Sequence, residues 1–184
     1  MRKILTILTC TFILITIFNL NTKAQEIEWL SIEKAVTLNN DQPRKFMIYV
    51  YSDNCGWCRR MASGTFSNPV ITKYINNNFY AVKLNASIKK DVTIGSKTFT
   101  YKPADPVNNV PAHHELVALL LQGRMAYPSV AFMDEELTYL GLQRGYKSPQ
   151  NFEPWLHFVA GDVYKENNNI TEYISSNTHW LFFQ

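Results

Sequence analysis

A chain of 184 residues and 21.3 kDa has room for one domain with a sizeable core and is short for two. Apolar residues make up 46%, aromatics 14% and charged residues 18%, a composition that excludes a disordered, collagenous or polytopic membrane protein. The formal net charge is +3, but Arg2, Lys3 and Lys23 fall in an acid-free N-terminal stretch; without them the 18 basic residues drop to 15, equal to the 15 acidic ones, and bulk charge leaves no nucleic-acid footprint.

Met1-Arg2-Lys3 opens the chain with positive charge, and Ile4 to Leu20 follows as an apolar run diluted by Thr6, Thr9, Thr11 and Thr16. Small residues at Thr22 and Ala24 close the segment. This order fits a secretory signal peptide over residues 1–24, cleaved after Ala24, because the charge holds the cytoplasmic side and small side chains fit the peptidase. The alternative is an uncleaved membrane anchor, since the run approaches the roughly 20 residues that span a bilayer. Cys10 sits inside the run, not at its end, which argues against lipid attachment. Cleavage leaves a single domain over 25–184, secreted or periplasmic, with Cys55 and Cys58 as its cysteines.

Apolar spacing at Ile27, Leu30, Ile32, Ala35 and Leu38 predicts a short helix over 27–38, with Ser31 as a candidate cap. Phe46 to Tyr51 is a continuous apolar, β-favouring run and reads as a central buried strand. Ser52-Asp53-Asn54 then supplies turn and cap chemistry, which puts Cys55 at a helix N-terminus, with that helix running towards Thr65. Asn68-Pro69 starts another helix through Ile75, and Phe79 to Leu84 is the next strand. Asp91 to Lys102 alternates around Gly95-Ser96 and predicts an inserted hairpin within residues 86–110. Glu115 to Gln122 is an apolar helix ended by Gly123. Ser129 to Met133 and Leu137 to Leu142 are strands, with Gly141 and Gly145 interrupting the second. Ser148-Pro149 opens the last strong helix, with Phe152, Trp155, Leu156 and Val159 on one face, before a polar Lys165 to Asn169 stretch and a weakly helical tail. The order βαβ, then ββα, implies an α/β fold with a central mixed sheet flanked by helices.

Cys55-Gly56-Trp57-Cys58 carries the chemistry. Residues three apart at a helix start share a face, so the two sulfurs can bond while the first stays exposed. The unpaired N–H groups and positive dipole end favour a thiolate on Cys55, with Arg59 and Arg60 adding to the field. Cys55 is then the nucleophile that attacks a substrate disulfide, and Cys58 resolves the mixed disulfide. No cofactor is required. A purely structural disulfide across so small a loop stabilises little. A zinc site would need two further ligands from His113, His114, His157 or His179, and covalent haem attachment is closed because Arg59 stands where histidine is needed.

The stretch from Phe46 to Leu84 resembles the thioredoxin-like superfamily, through its strand, Cys-Gly-Trp-Cys, Arg59-Arg60-Met61, Thr65-Phe66, Asn68-Pro69-Val70 and the run from Phe79. It is most similar to envelope members whose motif precedes a basic-x-Met helix and a Thr-Phe-Ser-x-Pro turn. Tyr127-Pro128-Ser129 before an apolar strand resembles the family's cis-proline loop, and Gly141 to Gly145 its final strand and glycine turn. The resemblance implies a thioredoxin-like fold with Pro128 cis beside the cysteines, presenting the Tyr127 backbone to an extended substrate. The sequence alone says only that Pro128 precedes a strand, and most X-Pro bonds are trans. Two departures stand out. Family reductases often carry a buried acid six residues before the nucleophile, where this chain has Tyr49, and Gly56-Trp57 replaces the familiar Gly-Pro between the cysteines.

Trp57 and Tyr127 each read as substrate contact or as packing. His113-His114 read as solvated surface groups, not as a metal site. The leading expectation is a thiol:disulfide oxidoreductase acting on protein disulfides as a reductase, with a redox partner protein, no metal, no nucleic acid, membrane association only if the N-terminus is uncleaved, and a monomeric state. The alternatives are an oxidant or isomerase, or a binding module that uses the hairpin while its disulfide stays inert.

Overall fold

The computed structural model describes residues 25–167 and 169–176. The expected signal segment with Cys10, and His179 near the other end, lie outside them.

Helix α1 (Ile32–Asp41) is followed by strand β1 (Lys45–Tyr51), helix α2 (Gly56–Arg60) and a π-helical turn (Met61–Thr65). Then come α3 (Pro69–Asn78), β2 (Phe79–Asn85), the short strands β3 (Val92–Ile94), β4 (Lys97–Phe99), β5 (Tyr101–Lys102) and β6 (His113–His114), and α4 (Glu115–Leu120). Strands β7 (Ser129–Met133) and β8 (Tyr139–Arg144), helix α5 (Pro149–Ala160), a 3-10 turn (Val163–Lys165) and α6 (Ile170–Ser176) complete the chain. The main sheet has the order β2-β1-β7-β8, with β1 parallel to β2 and antiparallel to β7, and β7 antiparallel to β8. It is the mixed, helix-flanked sheet that the element order implies.

β1 shows why the run Phe46 to Tyr51 is buried on both faces. Side chains alternate along a strand, so Met47 and Tyr49 enter one core with Phe79, Phe132, Phe152 and Leu156, while Phe46, Ile48 and Val50 enter the other with Ile32, Ala35, Leu116 and Leu120. Helices α2, α3 and α5 cover the first face; α1, α4 and the β3–β4 hairpin cover the second.

Several boundaries differ from the sequence expectation. The first helix begins at Ile32, not Ile27, because Ser31 accepts the Lys34 N–H and residues before it pair with the sheet edge: Leu30 N–H donates to Ala81 O at 2.8 Å, and Lys83 N–H to Leu30 O at 3.2 Å. The expected helix from Cys55 to Thr65 is α-helical only to Arg60 and then widens to the π-helical turn. The inserted hairpin spans Val92 to Phe99, whereas Tyr101 and Lys102 leave it to pair with His114 and His113. Helix α4 stops at Leu120, and Gly123, at φ 76°, donates its N–H to Ala118 O. The last strand runs from Tyr139 to Arg144 and not from Leu137, because Asp134 Oδ1 accepts the Glu136 and Thr138 N–H groups and extends the turn. Gly141 lies within that strand, and only Gly145, at φ 79°, ends it.

His113 and His114 are also not the solvated helical pair expected. His114 is fully buried: its Nδ1 accepts the Leu116 N–H, capping α4, and its Nε2 lies 3.2 Å from Lys90 O. Among the described residues no group of three or more His, Cys, Asp or Glu is placed to hold a metal, and no helix is long and apolar enough to cross a membrane.

Candidate active site at the Cys55–Cys58 pair

β1 delivers the chain to the turn 52–54, and the Cys55 N–H bonds back to Ser52 O at 3.1 Å. Asp53 is thus a turn residue, and the cap is Cys55 itself, in extended backbone with its Sγ accepting the Cys58 N–H at 3.0 Å. Cys55 and Cys58 are joined by a disulfide with their Cα atoms 5.2 Å apart. The two sulfurs differ in access: Cys58 is 3% exposed and belongs to the core beneath the sheet, whereas Cys55 is half-buried. Gly56 is exposed on the first turn. Once the disulfide opens, Cys55 Sγ has an N–H donor and the positive end of the turn to stabilise a thiolate.

The position of the missing acid is informative. Tyr49 is 1% exposed, and its hydroxyl donates to the carbonyl of Cys58 at 3.0 Å. Burial, with Tyr51 beside it, pushes the phenol far above its ordinary range, so Tyr49 stays protonated and acts as a fixed donor, not as a proton acceptor. Its ring is clamped edge-on by Phe66 with centroids 4.8 Å apart and stacked on Tyr51 at 5.7 Å. A cleft of 160 Å³ lined by Tyr49, Asp53, Cys58, Arg59 and Lys83, among others, reaches Cys58. The carboxylate in that lining, Asp53, accepts a hydrogen bond from Asn85 Nδ2 at 2.8 Å.

The sheet register gathers the remaining expected residues at the same end. Val50 pairs with Ser129, and Ser129 pairs with Arg144, so Pro128 and Gly145 flank the start of β7 beside the turn that follows β1. The Tyr127–Pro128 peptide bond is cis, Pro128 is buried, and its carbonyl accepts the Gly145 N–H at 2.8 Å. Tyr127 is half-buried and packs against both cores, which favours the packing role for its ring. Trp57 is 56% exposed. Its ring lies 5.5 Å from that of Tyr146, and the Arg60 guanidinium sits 5.3 Å from both ring centroids. Sequence reasoning missed Tyr146; an aromatic residue directly after the glycine turn was the available signal. Arg59 turns the other way and donates from Nη1 to Asp53 O at 3.1 Å. The two arginines therefore brace the loop and the aromatic pair, and neither bonds to Cys55 Sγ.

A buried and an accessible sulfur on one short turn, beside a cis-proline loop at the end of a mixed sheet, define a thioredoxin-like thiol:disulfide oxidoreductase. The chain belongs to the thioredoxin-like family, with residues 32–160 matching the model of the thioredoxin-like domain. In fold it is similar to a thioredoxin from Thermus thermophilus, at 15% identity and TM-score 0.52 over 84% of this chain and 99% of that one. It is likewise similar to a putative disulphide-isomerase from Bacteroides thetaiotaomicron, at 15% identity and TM-score 0.51 over 74% and 95% of the two chains. A thioredoxin-fold protein from Helicobacter pylori matches at 17% identity and TM-score 0.50 over 73% and 84%. No curated protein matches it by sequence.

Proposed function

We propose that the protein reduces disulfides of other proteins in the cell envelope, after removal of residues 1–24, as a single domain over 25–184. The carrying observation is the asymmetry of the pair, with Cys55 accessible and Cys58 buried behind it. In the reduced protein the Cys55 thiolate attacks one sulfur of a substrate disulfide, forming a mixed disulfide and releasing the other substrate sulfur as a thiolate, which takes up a proton. Cys58 loses its proton to water in the adjoining cleft and attacks Cys55 Sγ. That restores the Cys55–Cys58 disulfide and releases the second substrate thiol. The substrate gains two electrons and two protons; a dithiol partner protein returns them to the pair.

The reducing direction is supported by the surroundings of Cys55. Strong oxidants of this chemistry owe their potential to a heavily stabilised reduced form. Here the Sγ accepts one backbone N–H, and neither Arg59 nor Arg60 hydrogen-bonds to it. An extended substrate would lie along the Tyr127–Pro128 backbone, with the exposed Trp57 beside it.

A Cys58→Ser variant is expected to accumulate a mixed disulfide through Cys55 when offered an oxidised protein such as insulin, visible on a non-reducing gel and by mass. Cys55→Ser is expected to lose at least about two orders of magnitude in exchange rate. Retention of the full rate by Cys55→Ser overturns the proposal and leaves a binding module with an inert disulfide. N-terminal sequencing of the exported protein tests the cleavage, with Gln25 expected first.

A further inference from the structure

Arg60 is exposed at the last residue of α2, one turn beyond Trp57, with its guanidinium over the rings of Trp57 and Tyr146. A cation–π contact of this kind draws on the guanidinium's charge without taking up its N–H donors, which remain able to form a planar fork with a carboxylate. Among the described residues no carboxylate pairs with it: the acids that form ion pairs, Glu33, Glu115, Glu135, Glu153 and Asp162, pair with Lys90, Lys102, Lys45, His157 and Lys165. The nearest acid in the motif turn, Asp53, spends its carboxylate on Asn85 Nδ2 at 2.8 Å. Arg60 is therefore a cation with no ion-pair partner among the described residues, clustered with Tyr146 and with Trp57 of the Cys55–Cys58 motif.

We infer that Arg60 is a specificity residue that reads a carboxylate beside the substrate cysteine, while Trp57 and Tyr146 take an apolar neighbour. The preferred substrate is then an extended protein segment in which an Asp or Glu and an apolar residue flank the disulfide-bonded cysteine. A planar fork suits a carboxylate better than a point charge does, because two parallel N–H···O bonds fix both oxygens. The pairing is made in encounter with the substrate and at a solvent-exposed rim, so its effect falls on the second-order rate and fades with salt.

This inference rests on the reducing function proposed above, and the test separates the two. The full chain, reduced beforehand, is mixed with disulfide peptides that differ only in carrying Glu, Gln or Lys beside one cysteine. The wild type is expected to reduce the Glu peptide about fivefold faster in kcat/KM than the Gln peptide, and the Lys peptide slowest, with the spread shrinking at high salt. Arg60→Gln is expected to bring the Glu-to-Gln rate ratio to about one and to remove its salt dependence. Arg60→Lys retains part of the Glu preference. If Cys55→Ser is inactive yet Arg60→Gln shows the same Glu-to-Gln ratio as the wild type, or loses both rates equally, the inference is wrong and the redox reading stands. If Cys55→Ser keeps the full rate, the redox reading itself fails and this inference falls with it.

Discussion

The two faces of the sheet are built from alternate residues of the same strands and do different jobs. The face under α2, α3 and α5 is aromatic: Tyr49, Phe66, Phe79, Phe132 and Phe152 meet edge-on, tilted or stacked in the core that also holds Cys58. The face under α1, α4 and the hairpin is mostly aliphatic, with Ile32, Ile48, Val50, Val82, Leu116 and Leu120 in its core. Flat rings fix one another's orientation and can carry a polar handle such as the Tyr49 hydroxyl, so the aromatic face can hold a cysteine at a set depth. Aliphatic groups pack without directional demands and suit a face that only has to be buried.

Substitutions on each face sharpen this contrast. Phe152→Ala, at a fully buried ring against Phe66 and Phe132, is expected to cost about 3–5 kcal/mol by urea unfolding and to weaken exchange per folded molecule. Ile48→Ala on the opposite face should cost about 2–5 kcal/mol while leaving the exchange rate of the folded fraction unchanged. An equal loss of specific activity in both variants would break the division between the faces. Tyr49→Phe keeps the ring and removes the bond to Cys58 O, for an expected loss of about 1 kcal/mol. It should also lengthen the life of the mixed disulfide in a quenched-flow assay, because the turn that holds Cys58 loses its anchor.

The smallest effect belongs to the insertion side. Backbone donation from Thr100, with the Lys102 ammonium 3.1 Å away, holds the Glu115 carboxyl down to about 2. Its folded value lies below its unfolded one, so the stabilisation is present above the unfolded value and is lost as pH falls through it towards the folded one. Glu115→Gln should flatten the acid limb of the stability curve between about pH 4.5 and pH 2 and leave exchange at neutral pH unaffected. A change in exchange rate would tie the insertion to the site.

Much of this was legible in the chain itself. Period and capping gave β1, the Asn68-Pro69 and Ser148-Pro149 helix starts, and Cys55 at a helix N-terminus, because those signals are local. Residues 27–30 defeated the periodicity because their partner is the distant edge of β2. His114 was misread as surface because its burial depends on Lys90 and the packing of the insertion, which no local pattern encodes. Tyr146 joined the site only through the β7–β8 register, and the Tyr49 to Cys58 bond needed both the strand's facing and the depth of the turn.

The central claim is that the Cys55–Cys58 pair is a working reductant, and its reduction potential tests that most directly. Equilibrating the chain with thiol buffers, alkylating and weighing the products gives the value. The account predicts a potential near about −270 mV, the thioredoxin range. A value near about −120 mV would make the protein an oxidant, and a pair that stays oxidised far below about −300 mV would leave it no redox function; either result contradicts the account.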